Sequence, residues 1–227
     1  MLYLVVPAGG SGLRIGGDIP KQFLDWGGEP LLKATIKAFF APGMPKVDGV
    51  AIALPPDRLD EVSAWNFPAP RWCAKGGKTR QESVEAAIGL LPPGDAQALV
   101  MIHDAVRPFP PAGPIMEAIL SLDSWDGALL AEASTDTLKR VDANFQVLGT
   151  EPRDCIYRAQ TPQMAKLSTW QRAFAWAREH GFKGTDDVSI LEAMGLRVRL
   201  IPSPSSNQKL TVPEDWDRLY KAAFNRG

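Results

Sequence analysis

The chain has 227 residues, 45% of them hydrophobic and 22% charged, with a formal net charge of -1. That length and apolar content suit one large α/β domain with a true core, and the balanced charge argues against a protein that coats nucleic acid. Two cysteines and two histidines without CxxC spacing argue against a structural zinc site, and no apolar stretch approaches the ~20 residues of a membrane span, so neither nucleic acid nor membrane is expected as a partner and a reducing cytoplasm is the expected location.

In chain order, LYLVV (2–6) reads as a buried strand. PLLKATIKAFF (30–40) carries apolar residues at helical spacing, with Pro30 at a plausible first position. VAIAL (50–54) is the next strand, a polar helix is expected near 57–64, and RWCA (71–74) reads as a short strand. RQESVEAAIGLL (80–91) is a helix ended by Pro92, Pro93 and Gly94. ALVMIHD (98–104) is a strand, a helix follows near 112–122, and GALLAEA (127–133) is a further strand. Residues 134–160 break this rhythm: the alternating pattern and the turn signal at Asp142, Ala143 and Asn144 predict a β-hairpin arm. Helices at 168–181 and 186–195, a strand at 196–202 and a helix at 213–224 complete the chain.

Strand–helix alternation predicts a Rossmann-like, mostly parallel, doubly wound sheet within a single domain. Ligands of such sheets sit at the carboxyl ends of the strands. That rule gathers Pro7 to Lys21, Gly76 to Arg80 and Asp104 to Arg107 on one rim.

Glycines after a strand let backbone N–H groups approach phosphate oxygens. The dinucleotide fingerprint fails here because Ile15 stands at its third glycine, and the P-loop pattern ending in Gly77-Lys78-Thr79 fails because Trp72 stands at its first. A tight turn could require the same glycines for backbone reasons alone. Arg14 and Lys21, two cations in the first loop, suit a polyphosphate. In KGGKTRQESV (75–84), Ser83 falls in the first helical turn, where donors could meet a base or phosphate. Asp104 ends a central strand and is placed for metal or ribose contact. His103 points the opposite way and reads as structural, while Arg107 could organise the loop as well as bind. In SSNQKLTVPEDW (205–216), Lys209 precedes a helix that Thr211 and Glu214 could close as a capping box. Thr185 and Asp186 read as a helix cap.

Together these stretches resemble the 2-C-methyl-D-erythritol 4-phosphate cytidylyltransferases of the non-mevalonate isoprenoid pathway. The resemblance is carried by VVPAGGSGLRIGGDIPKQFL, GGKTRQESV, HDAVRP, DTLKR, TPQ at 161–163, TDD at 185–187 and NQKLTVPED, in that order along nearly the whole chain. It implies the nucleotide-diphospho-sugar transferase type of fold with a protruding β-arm, a homodimer in which each arm completes the other subunit's site, and Mg2+ as cofactor. The implied reaction joins CTP to 2-C-methyl-D-erythritol 4-phosphate and releases pyrophosphate.

Residue by residue, the resemblance assigns Pro7, Ala8, Gly9, Gly10, Ser11 and Gly12 to the CTP triphosphate. Gly77, Arg80, Ser83, Asp104 and Ala105 go to the rest of the nucleotide and the metal, with Asp104 as the metal residue. Arg14 and Lys21 match the transition-state cations, and Arg153 and Lys209 the pair that positions the acceptor phosphate. Arg107, Thr137, Thr161 and Thr185 match acceptor contacts, with Thr137, Arg153 and Thr161 supplied by the partner's arm. The chain departs from the family pattern at Leu13, Lys78 and Ser206. The rival readings are a cytidylyltransferase for D-ribitol 5-phosphate or another polyol phosphate, a nucleotide-binding regulator, and a nicotinamide-dependent oxidoreductase, the last opposed by the missing third glycine.

Overall fold

The computed structural model describes residues 1–10 and 19–224. Among the described residues nine strands form: β1 (Leu2–Pro7), β2 (Gly49–Leu54), β3 (Arg71–Lys75), β4 (Leu99–Ile102), β5 (Gly127–Ala133), β6 (Lys139–Val141), β7 (Val147–Thr150), β8 (Tyr157–Lys166) and β9 (Val198–Pro202). The described helices are α1 (Leu31–Ala38), α2 (Leu59–Ser63), α3 (Arg80–Ile88), α4 (Ala112–Ser121), α5 (Leu167–Glu179), α6 (Val188–Ala193) and α7 (Pro213–Phe224).

Seven strands make one sheet in the order β3-β2-β1-β4-β8-β5-β9. All neighbours are parallel except β8, which runs antiparallel to both β4 and β5. The sheet is covered on both faces, and β1 shows why its sequence is continuously apolar. Leu2, Leu4 and Val6 face a core shared with Leu31 and Ile36 of α1 and Ile115 of α4. Tyr3 and Val5 face the opposite core, shared with Val84 of α3 and Trp170 and Phe174 of α5. A strand buried on both sides has no polar alternation to show.

β8 is the main departure from the sequence expectation. Residues 157–160, assigned to the arm, are part of the central sheet, and Thr161 lies in the middle of that sheet. Pro162 disguises the strand, because a proline ordinarily marks an edge. Here it sits where the β5–β8 ladder is interrupted, between the pairs Leu129↔Gln163 and Ala131↔Ala159. The arm itself is the hairpin β6–β7, antiparallel and separate from the main sheet. Its turn is held by the Asp142 carboxylate, which accepts from the amides of Asn144 and Gln146, each at 2.9 Å.

α7 begins as expected, but with its cap one residue along. Asp215, not Glu214, accepts from the amides of Thr211 and Val212 at 2.8 and 3.0 Å, while the Thr211 hydroxyl donates to the Lys209 carbonyl. The helix docks through Trp216 and Tyr220, whose rings meet Trp26 edge-on at 5.2 and 5.5 Å. This fastens the segment carrying Lys209 to the segment that follows Lys21.

Candidate active site

Three loops at the carboxyl ends of β1, β3 and β4 meet the segment before α7 around a cleft of about 660 Å³. Pro7, Ala8, Gly9, Gly10 and Lys21 line it from the first loop, Gly77, Arg80 and Ser83 from the second, Asp104 and Ala105 from the third, and Lys209 from the last. The strand-end rule therefore brings together residues from both ends of the chain. Ser11, Gly12 and Arg14 lie outside the described residues, as does Leu13.

Glycine is required where the first two loops touch. A Cβ on Gly9 would stand 3.0 Å from the Cα of Gly76, and one on Gly76 would stand 2.9 Å from the Cα of Gly9. A Cβ on Gly77 would collide with the Glu82 side chain at 2.2 Å. Thr79 caps α3 by accepting from the Glu82 amide, and Glu82 in return accepts from the Lys78 amide at 2.6 Å. The Ser83 hydroxyl accepts from the Gly77 amide at 3.1 Å and donates to the Thr79 carbonyl at 2.9 Å. Ser83 thus shapes the glycine loop while also lining the cleft.

Asp104 is the hub of the charged groups. Its Oδ1 lies 3.3 Å from Arg80, and its Oδ2 lies 3.1 Å from both Arg107 and Lys209. Burial alone would raise the pKa of this carboxyl, but Arg80, Lys209 and Arg107 outweigh burial and hold it well below the usual range. Arg80 is also gripped by Asp187, with Nη1 at 2.6 Å from each carboxylate oxygen. Burial works against the charge on Arg80, yet Asp187 and Asp104 prevail and raise its pKa. Lys21 donates to the Leu210 carbonyl at 2.8 Å. Among the described lining residues, Lys21, Lys78, Arg80 and Lys209 stand against a single carboxylate, Asp104. Such a cleft attracts a polyanion.

Beneath Asp104 lies a chain of buried polar groups. The Asp104 amide donates to Thr161 Oγ1 at 3.0 Å, and that oxygen is 3.0 Å from His103 Nδ1. His103 Nε2 is 3.0 Å from the Arg107 carbonyl. A carbonyl only accepts, so Nε2 carries the proton and Nδ1 accepts from the Thr161 hydroxyl. Burial lowers the His103 pKa to about 4, keeping the ring neutral and in this tautomer. Its reading as a structural residue agrees with these contacts.

Lys209 apart, none of the five expected acceptor contacts is among the residues that line the cleft. Thr161 is 4% exposed and its hydroxyl is engaged within the protein, so it belongs to the support of Asp104 and not to an arm. Arg107 is 7% exposed, and its guanidinium bonds Asp104 and the Asn207 carbonyl, which makes it an organiser of two loops. Thr137 and Arg153 are exposed beside the arm hairpin and are not among the residues that line this cleft. Thr185 is exposed and likewise outside the lining, while Asp186 does cap α6, accepting from the Ser189 amide at 3.0 Å.

Asp104 does not fit as a metal ligand as it is held, because both its oxygens already face cations. Among the described residues no group of three or more His, Cys, Asp or Glu could hold a metal ion.

Sequence reasoning missed Gln22, Gln163 and Asn207. Gln163 binds the amides of Asp187 and Val188, each at 2.9 Å. Asn207 donates to Gln160 and to the Thr161 carbonyl. Buried amides have no spacing signature: the partners of Gln22 lie 12 and 14 residues away, and those named for Gln163 and Asn207 lie 24 to 47 residues away.

Comparison with known proteins shows the family. The family model described as 2-C-methyl-D-erythritol 4-phosphate cytidylyltransferase matches residues 2–223. The protein of that name from Geotalea uraniireducens (strain Rf4) is 37% identical over 216 residues, covering 93% of this chain and 91% of its own. The one from Acidobacterium capsulatum is 35% identical over 235 residues, covering 98% and 96%. Among solved structures, the 4-diphosphocytidyl-2C-methyl-D-erythritol synthase from Anaerococcus prevotii DSM 20548 superposes with a TM-score of 0.84 at 26% identity, covering 99% of this chain and 98% of that one.

Proposed function

The chain belongs to the 2-C-methyl-D-erythritol 4-phosphate cytidylyltransferase family, and on that premise we propose how its cleft carries the reaction. The enzyme joins CTP and 2-C-methyl-D-erythritol 4-phosphate into 4-diphosphocytidyl-2-C-methyl-D-erythritol and pyrophosphate. The polyol phosphate acceptors weighed as rivals are not favoured by these relatives.

An ionised oxygen of the acceptor phosphate attacks the α-phosphorus in line, and pyrophosphate leaves. Two anions must approach one another, so positioning and charge neutralisation supply the catalysis and no protein nucleophile is needed. In our reading the Pro7 to Gly12 backbone and the Gly77–Ser83 loop hold the nucleotide. Lys21, with Arg14, neutralises charge developing between the α-phosphorus and the leaving group. Lys209, steadied by Asp104, receives the acceptor phosphate, and Arg80 maintains the positive field behind both. The observation that carries this reading is the convergence of Lys21, Arg80 and Lys209 on one cleft floored by glycine backbone.

Mg2+ enters this reading only as a companion of the triphosphate, whose own oxygens can hold it without a protein cluster. A homodimer formed through the arm would bring Thr137 and Arg153 to the partner's cleft. Its support is an exposed apolar hairpin: Phe145 is 85% exposed, with Val141, Val147 and Leu148 also open to solvent. A cytoplasmic location is supported by two free thiols, Cys73 and Cys155. No described helix is long and apolar enough to cross a membrane.

The deciding experiment is pyrophosphate release with Mg2+ and each nucleoside triphosphate in turn, offered 2-C-methyl-D-erythritol 4-phosphate or D-ribitol 5-phosphate. Release with CTP and the methylerythritol substrate alone is expected. Release with the ribitol substrate instead would move the acceptor assignment, and no release with any pair would overturn it.

A further inference from the structure

Gln22 is a buried amide beside a proposed catalytic lysine, and the reaction as described gives it no task. It is 4% exposed and lies in the single turn Lys21–Phe23. Its Nε2 donates to the Ala8 carbonyl at 2.9 Å and to the Gly10 carbonyl at 2.8 Å. Both protons of the amide nitrogen are therefore spent on the glycine loop.

The consequence follows from peptide geometry. In a trans peptide the C=O and N–H of one unit point in opposite directions. With the Ala8 carbonyl turned onto Gln22, the Gly9 N–H faces away from the Gln22 amide, and Gly9, Gly10 and Gln22 all line the cleft. The loop has little freedom to slip sideways, because Gly9 already abuts Gly76. One residue earlier, Lys21 is held to the Leu210 carbonyl. A single turn of chain thus governs the backbone that would meet the triphosphate and the cation beside it.

We propose that Gln22 is a positioning residue for CTP: by gathering the Ala8 and Gly10 carbonyls it presents the loop's N–H groups to the triphosphate, and its contribution falls on CTP and not on the acceptor. The proposal rests on the reading of this cleft as the CTP site.

The test uses Gln22→Met, which keeps side-chain length without donors, and Gln22→Glu, which sets a carboxylate against two carbonyls. KM for CTP is expected to rise at least tenfold in Gln22→Met and further in Gln22→Glu, with KM for 2-C-methyl-D-erythritol 4-phosphate within twofold of wild type. Gln22→Asn, which keeps the amide on a shorter stem, should fall between wild type and Gln22→Met, and it carries the test alone if the other two do not fold. An unchanged KM for CTP, or two KM values that rise together, would overturn the proposal. Calorimetric titration of wild type with CTP separates the failures. A wild type that does not bind CTP overturns the site reading as well, whereas wild type and variants that bind equally overturn only the role of Gln22.

Discussion

The ammonium of Lys21 donates to the carbonyl of Leu210 at 2.8 Å, across 189 residues of sequence. The contact pins the first loop of the sheet to the last, directly beside Lys209, whose own ammonium is held by Asp104. The two cations assigned to opposite sides of the phosphoryl transfer are therefore steadied by neighbouring residues of one segment.

Lys21→Ala and Arg14→Ala are each expected to lower turnover at least a hundredfold with the fold intact. Loss of about 3 kcal/mol of transition-state charge stabilisation corresponds to that factor. Steady-state pyrophosphate release, with circular dichroism as the check on folding, reads the outcome. Near-normal turnover in both variants would remove them from the chemistry.

Asp104 makes two kinds of ion pair, and they should behave differently. Its partner Arg107 is as buried as Asp104 itself, each side chain 9% exposed, whereas the Lys209 side chain is 41% exposed. Removing one member of a buried pair leaves an uncompensated charge, so Asp104→Asn should lose about 3 kcal/mol in urea unfolding. Lys209→Ala removes a solvent-screened partner and should cost less than about 1 kcal/mol while abolishing most activity. Equal stability losses in the two variants would contradict this division.

How far the sequence could be read depends on how local each signal is. β1 and β4 are apolar runs because both faces of their sheet are covered, and a ligand rim follows once such strands are in parallel order. Asp104 was visible as the first carboxylate past a strand end. β8 was not visible, because Gln160, Thr161 and Gln163 are buried polar residues whose partners are Asn207, His103 and Asp187, supplied by the tertiary fold. The misplacement of Thr161 on the arm has the same origin. Arg107 was read both as a loop organiser and as a ligand contact, and its burial against Asp104 and the Asn207 carbonyl fits the first of these readings.

The arm offers a test of assembly. Phe145, at the hairpin turn and 85% exposed, is too apolar to be an ordinary solvent-facing residue beside Val147 and Leu148. Phe145→Asp should shift sedimentation from dimer towards monomer and lower activity with it, if Thr137 and Arg153 act across the interface. A wild type that sediments as a monomer at assay concentration would rule out the shared site.

His103 should leave a mark on the acid limb of stability. Its ring packs edge-on against Phe39 at 4.8 Å between centroids, and both nitrogens are engaged by Thr161 and the Arg107 carbonyl. Asp104 favours its protonation while Arg107 and Arg80 oppose it, and burial dominates, leaving a pKa of about 4. In the unfolded chain the value returns to about 6.5. Between these values the unfolded state binds the extra proton, so stability is full above about 6.5 and falls as pH drops towards 4. From pH 7 to pH 5 this single group should cost about 2 kcal/mol. Asp104, whose folded pKa is depressed, contributes its own loss only at lower pH, as the solution falls through the ordinary carboxylate range. Urea unfolding of wild type and His103→Gln at pH 7, 6 and 5 separates the two groups, because the readout is the slope and not the starting stability. A flatter slope in His103→Gln is expected. An equally steep one would mean that the neutral ring held between Thr161 and Arg107 is not what limits the fold in acid.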